Sequence, residues 1–378
     1  MGLRTSLRWL TAGGVLLHLS STTSTALLKF NEGRDQLFAT VSLSMGYDSN
    51  IFADATGEGD VFTNSSLAIE YLRHAGLIGV NGTLSWNLGS FASNTSENFA
   101  NPAFDLELVK QTGRTTGSFT LGATRQSQAD PVINQRTDSW NYNAGLNWKY
   151  PVITRYSFAG SLSYGLLDYV DESSGLVDLT TYGASTDLYY AYTSQRDLVG
   201  GYRIRLSDTS SGGQTTDHAV TAGVSGKILA KLKGVVRGGY QIRKDDSTGE
   251  THGSITASAS TTWAVNKRFS ITGTLNKDFS TTATESSVDN LSFHLDAQYA
   301  IRNRWSLYSG VGVGESEFLS GVDKGREDYY FTWSAGVNYT LNDHFKASLT
   351  YSYFQNWSNR STSSYDRHSV TLNLTSRW

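Results

Sequence analysis

From residue 329 onward, apolar and polar side chains alternate. Tyr329, Phe331, Trp333, Ala335, Val337, Tyr339 and Leu341 take turns with Tyr330, Thr332, Ser334, Gly336, Asn338 and Thr340. A period of two places each set on one face of a β-strand, so the segment predicts a strand with an apolar and a polar side. Asn342 and Asp343 form a tight turn, after which Phe345, Ala347, Leu349, Tyr351 and Tyr353 alternate with Lys346, Ser348, Thr350 and Ser352. Beyond a polar loop, Val370, Leu372, Leu374 and Trp378 carry the alternation to the last residue. Each run is about ten residues long, the length with which a tilted strand crosses a bilayer.

The rest of the chain repeats this unit. Short turns fall near residues 75–76, 113–114, 152–154, 195–196, 230, 266–267, 302–303 and 342–343. They recur about every 35–42 residues, the period of a pair of hairpins. Between them lie longer polar segments at 48–60, 90–101, 127–137, 170–178, 208–216, 245–250, 281–287, 316–326 and 357–364. Strict alternation of short turns with long loops is the asymmetry of outer-membrane barrels, whose short turns face the periplasm. The expected fold is all-β: a transmembrane antiparallel up-and-down β-barrel of about 18 strands, with both termini on the periplasmic side.

The sixth strand supplies a length check. Trp140, Tyr142, Ala144, Leu146, Trp148 and Tyr150 share one face, and Asn141, Asn143, Gly145, Asn147 and Lys149 the other. Trp140 and Trp148 are separated by roughly 26 Å along the strand. A tilt of about 40° brings this to roughly 20 Å, near the spacing of two aromatic girdles. The opposite faces are wet, as with Asn290, Ser292, His294, Asp296 and Gln298 on the fourteenth strand. A soluble β-sandwich is the competing reading, because it too exposes one polar face.

Composition narrows the choice. Hydrophobic residues make up only 38% of the 378 residues while aromatics reach 12%, the mixture of a barrel that sets every second side chain against lipid. A formal net charge of −3 gives no reason to expect nucleic acid as a partner. The absence of cysteine excludes a thiolate metal site and a lipid-anchored N-terminus. Residues 1–26 read as a signal peptide: Arg4 and Arg8 are the basic segment, 9–19 the apolar one, and Ser24, Thr25 and Ala26 the small residues before a cut. Residues 27–37 form a short periplasmic segment, too short for a plug domain, ahead of a barrel at 38–378. A loop folded into the lumen is the alternative plug, with 48–60 the first candidate.

Candidate chemistry lies in the inward charges. The ninth to eleventh strands place Arg203, Arg205, Lys227, Lys233, Arg237 and Arg243 on the polar side, and the second and fourth place Glu70, Asp105 and Glu107 there. These nine are the expected pore-lining residues, and separation of sign along the chain would give the lumen a field. The basic group suits an anionic saccharide. The seven histidines show no metal-binding pattern, so neither catalysis nor a cofactor is expected.

Two resemblances add to this reading. The chain ends on an aromatic within a strand, which resembles the signal that directs outer-membrane barrels to their assembly machinery, although Ser376 stands where an apolar residue is usual. Tyr47, Asp48, Ser49, Asn50, Ile51 and Phe52 form a segment similar to one near the start of members of the β-barrel porin 2 family. That resemblance implies a bacterial outer-membrane barrel set in lipid and lipopolysaccharide, a conduit for a hydrophilic solute or a saccharide chain in exopolysaccharide export. The bland account of the segment is that Asp48 and Asn50 build the turn by which the chain leaves its strand. A closed structural or adhesive barrel is the alternative function, and a barrel hydrolase the third.

Overall fold

Alternating segments cannot satisfy their backbone in lipid unless every strand has two neighbours, and the chain meets this by closing on itself. The computed structural model describes residues 26–74, 76–130, 135–170, 175–246 and 248–378; the signal peptide expected at 1–26 lies, apart from Ala26, outside the described residues. A short strand β1 (Leu28–Phe30) precedes eighteen long ones. These are β2 (Asp35–Asp48), β3 (Asp60–Arg73), β4 (Gly79–Phe91), β5 (Phe99–Lys110), β6 (Thr116–Asp130), β7 (Gln135–Ile153), β8 (Tyr156–Tyr169), β9 (Leu179–Thr193) and β10 (Arg196–Thr209). The second half comprises β11 (Gln214–Lys227), β12 (Leu232–Asp245), β13 (Thr251–Ala264), β14 (Phe269–Thr281), β15 (Ser287–Arg302), β16 (Trp305–Phe318), β17 (Glu327–Thr340), β18 (Phe345–Ser358) and β19 (Tyr365–Arg377). Each long strand pairs antiparallel with the next, and β19 pairs with β2 to close the ring. The fold is the expected eighteen-strand barrel.

Every short turn and every long loop read from the sequence joins the strands it was expected to join. Some loops are shorter than their polar sequence suggests: β6 and β7 stay paired out to Asp130 and Gln135. Backbone hydrogen bonds continue there between polar residues, because a ladder does not depend on what the side chains are.

The N-terminal boundary also differs. β2 starts at Asp35, three residues before the expected position 38. The chain's end explains why: the backbone N–H and C=O of Trp378 pair with Ala39, so the edge of β2 before Ala39 has no β19 beside it. β1 folds back and pairs there, Leu28 with Leu37 and Phe30 with Asp35, covering an edge that would otherwise stand open.

Outward positions carry exposed apolar side chains, among them Val41, Leu43, Met45, Leu349, Leu372 and Leu374. Aromatics pair across neighbouring strands near both ends of the wall: Trp305 with Tyr339 (4.4 Å between ring centroids) and Tyr156 with Tyr190 (5.0 Å) near the short turns, Tyr164 with Tyr182 (5.4 Å) nearer the loops. Trp378 stacks on His344 at 4.0 Å. The buried apolar residues lie elsewhere. Ile51, Ala53, Phe279, Val288 and Phe318 gather inside the long-loop mouth.

Candidate functional site

At that mouth, β14 leaves its neighbour. β13 and β14 pair only between Ala257–Lys277 and Ala264–Ser270. Beyond Lys277 the β14–β15 hairpin folds inward, behind the inner faces of β10 to β13. The backbone N–H of Val177 donates to the Ala283 carbonyl (2.9 Å), and Thr209 Oγ1 on β10 donates to Glu285 Oε1 (2.7 Å). The outer face of the hairpin rests on β13, where Ser254 Oγ donates to Asp289 Oδ2 (2.6 Å) and Lys277 Nζ pairs with the same oxygen (2.9 Å).

Three of the basic residues expected on the lumen wall hold this hairpin. Arg205 and Arg243 both grip Asp217, with Arg205 Nε at 2.8 Å from Oδ2 and Arg243 Nε at 2.6 Å from Oδ1. Their remaining donors reach the hairpin backbone: Arg205 Nη2 to the Phe279 carbonyl and Arg243 Nη1 to the Ser280 carbonyl, each 2.5 Å. Arg203 makes a two-point pair with Asp278, at 2.7 and 2.9 Å. Asp217 and Arg243 are almost fully buried, at 1% and 0% exposure. Lower on the wall, Arg237 pairs with Asp187 (2.7 Å) and receives support from Tyr189; Tyr189 Oη accepts an Arg237 N–H at 2.9 Å.

The expected wall of free positive charge is therefore compensated locally. Asp187, Asp217 and Asp278 were missed as partners, although each occupies an inward position by the same alternation that revealed the arginines. Lys227 and Lys233 face each other in register near the short-turn end, and among the described residues neither forms an ion pair. The acidic residues stay apart from the arginine cluster. Glu70 on β3 pairs with Arg377 (2.5 Å), whose guanidinium lies 4.3 Å over the Phe38 ring. Asp105 and Glu107 occupy inward positions on β5, several strands round the wall.

A second segment enters from the other side of the mouth. In the loop after β2, Asn50, Ile51 and Ala53 are each only 1% exposed. Arg136 on β7 donates to the Ile51 carbonyl (3.3 Å), and Ala53 packs with Ala129, Tyr365 and Phe354. The loop folds inward, as its position at 48–60 suggested. Its polar residues serve its own shape: Asp48 accepts the Asn50 N–H (3.0 Å) and pairs with Arg367, and Asn50 Nδ2 donates to the Asp54 carbonyl (2.7 Å). The turn-building account of Asp48 and Asn50 fits this geometry.

With the fold and the mouth described, likeness to known proteins can be stated. The chain is similar to OpdK of Pseudomonas aeruginosa in its crystal structure with vanillate: 10% identity over 90% of this chain and 99% of that one, TM-score 0.51. It is likewise similar to OccK2 (OpdF) of Pseudomonas aeruginosa, at 10% identity over 91% and 97% of the two chains, TM-score 0.50. At such identity the likeness concerns the fold. No curated protein matches the chain. Segment 47–52, which carries the family resemblance, lies outside the span matched by the family model. Residues 202–378 match the model of the family described as "Putative beta-barrel porin 2", and the chain is a porin-like β-barrel of the bacterial outer membrane.

Proposed function

We propose that the barrel is a selective pore for passive passage of hydrophilic solutes. The observation that carries this reading is the polar inner wall: Asn, Ser, Thr and paired charges hold the inward positions from the short turns to the mouth. A wall of hydroxyls, amides and ion pairs holds water at low cost, whereas apolar cargo would gain nothing from it. Of the nine residues expected there, Glu70, Asp105, Glu107, Arg203, Lys227, Lys233 and Arg237 line the path in this reading, whereas Arg205 and Arg243 are buried between the wall and the inward hairpin. The two inward segments restrict its width at the mouth. The outward apolar surface meets lipid and lipopolysaccharide, and barrel assembly machinery inserts the chain. The family resemblance extends the proposal to saccharide chains and exopolysaccharide export, anionic ones being favoured by the lysines. No catalytic role is assigned.

The inward segments favour a second reading, a closed barrel whose loops bind partners. Planar bilayer recording separates the two. A pore gives steady single-channel steps on insertion of the purified barrel; a closed barrel gives none.

A further inference from the structure

Among the polar inward positions on β15, β16 and β17 sit three rings with a common geometry. Tyr308, His294 and Tyr330 each lie across a glycine of the adjoining strand. A Cβ added to Gly336 would come within 2.4 Å of Tyr308 Cζ, one on Gly312 within 2.2 Å of His294 Nδ1, and one on Gly314 within 2.2 Å of Tyr330 Cε1. Each ring fills the room that a side chain would have taken. Each ring thus covers the glycine of the adjoining strand, and all three stay partly exposed.

The rings form a path along the wall. Tyr308 sits near the short-turn end of β16, His294 midway along β15, and Tyr330 near the loop end of β17. The His294 and Tyr330 centroids are 6.4 Å apart, and from Tyr330 the series continues to Phe354 at 5.8 Å. Polar groups flank it. Asp296, exposed to the lumen, lies over Gly310 between Tyr308 and His294, and Tyr308 Oη bonds the Thr350 hydroxyl.

We propose that this path binds the sugar rings of a saccharide chain. The inference rests on the reading of the barrel as a pore and names what the pore recognises. A pyranose has an apolar face of C–H bonds and a rim of hydroxyls. Flat aromatic faces take the first, and a carboxylate or hydroxyl beside them takes the second. A small ion gains little from a row of ring faces spread along a wall, since cation recognition by aromatics uses a cage around one charge. A hydrocarbon would find the polar flanks unfavourable. The His294–Tyr330 and Tyr330–Phe354 spacings, near 6 Å, are on the scale of one sugar unit, while Tyr308 lies four strand positions from Gly312, roughly 13 Å farther along the wall, and meets a more distant unit.

The test uses the full barrel in a planar bilayer with cellohexaose as the probe and a polyethylene glycol of equal mass as the control. Cellohexaose should interrupt the current, with a residence time reduced about tenfold in the Tyr308→Ser/Tyr330→Ser variant. Open-channel conductance should change little, and interruption by the glycol should be the same in both proteins. Equal residence of cellohexaose in both proteins, in an otherwise conducting pore, overturns the proposal and leaves the pore reading intact. Should the double variant fail to fold, Gly314→Val replaces it, because the added side chain lifts the Tyr330 ring from the wall; the same loss is expected. Absence of any conductance would count against the pore reading alone. Saturation-transfer NMR of cellohexaose on the solubilised barrel then decides: transfer to the sugar C–H protons that the variant loses supports the path, and no transfer overturns it.

Discussion

At the scale of single residues, alternation assigns each side chain to lipid or to the lumen. Leu349 is exposed on the outer face, between Val337 of β17 and Leu372 of β19. Ser352, three positions on, points inward. A charged residue near the bilayer midplane costs about 2–4 kcal/mol, while inward substitutions meet water. Leu349→Arg is expected to lower folding stability in lipid by about that amount, and Ser352→Arg to leave it nearly unchanged. Urea unfolding of the two variants in vesicles checks this; equal losses would mean that the two faces are wrongly assigned. The prediction needs only sequence parity. The ion partners of the arginines need more, because Arg205 and Asp217 lie on adjacent strands, but Arg203 and Asp278 are separated by three strands.

At the scale of elements, the β14–β15 hairpin is the part that departs from the regular wall. Its inward position is held by Asp217, shared between two buried guanidiniums, and by the carbonyls that those guanidiniums reach. The seat is imperfect. Gln241 is fully buried beside it, and neither atom of its amide finds a protein partner. A buried polar group without a partner costs about 1–3 kcal/mol, which lowers the cost of moving the hairpin away from the wall. Breaking a buried ion pair by removing one partner typically costs about 3–5 kcal/mol. Asp217→Asn is therefore expected to free the hairpin, with faster amide hydrogen exchange over residues 278–290 and a larger single-channel conductance. Exchange and conductance both unchanged from the native barrel would rule out Asp217 as the latch. Loop 49–59 should keep its protection in the same experiment, since its contacts with Arg136, Tyr365 and Asp366 do not involve Asp217.

For the whole molecule, the closed ring fixes sidedness and field together. Long loops at one end and short turns at the other predict that cysteines at positions 94 and 361 are labelled on intact cells, while those at 267 and 343 are not. The chain has no cysteine of its own, so each site reports alone; labelling of the second pair but not the first would invert the topology. Selectivity follows the pairing of charge. Arg237 and Asp187 largely cancel beyond their immediate surroundings, whereas Lys227 and Lys233, facing each other in register, form no ion pair among the described residues. Charges in a water-filled pore set its ion preference when they are uncompensated. Lys227→Gln/Lys233→Gln should thus move the reversal potential in a salt gradient toward cations. Asp187→Asn should move it toward anions by freeing Arg237. A potential unmoved by either change would return these groups to ordinary solvated charge.

Strand number, the order of turns and loops and the apolar and polar face of each strand were legible in the chain itself. The reason is that a β-strand's faces repeat every two residues and an up-and-down barrel pairs neighbours in sequence, so each of these properties is local. The compensated charges, β1 on the open edge of β2 and the inward hairpin belong to the tertiary structure. Phe279 keeps the parity of Ile271 and Leu275 and would show the same alternation against lipid as it does inside the mouth, and polar residues 281–287 would read as a loop in either place. The period of a strand records which side chains share a face; it does not by itself tell an apolar face set against lipid from one packed inside the mouth. The inward fold of the hairpin brought Arg203 to Asp278 across three intervening strands, because that contact depends on where distant strands stand in three dimensions.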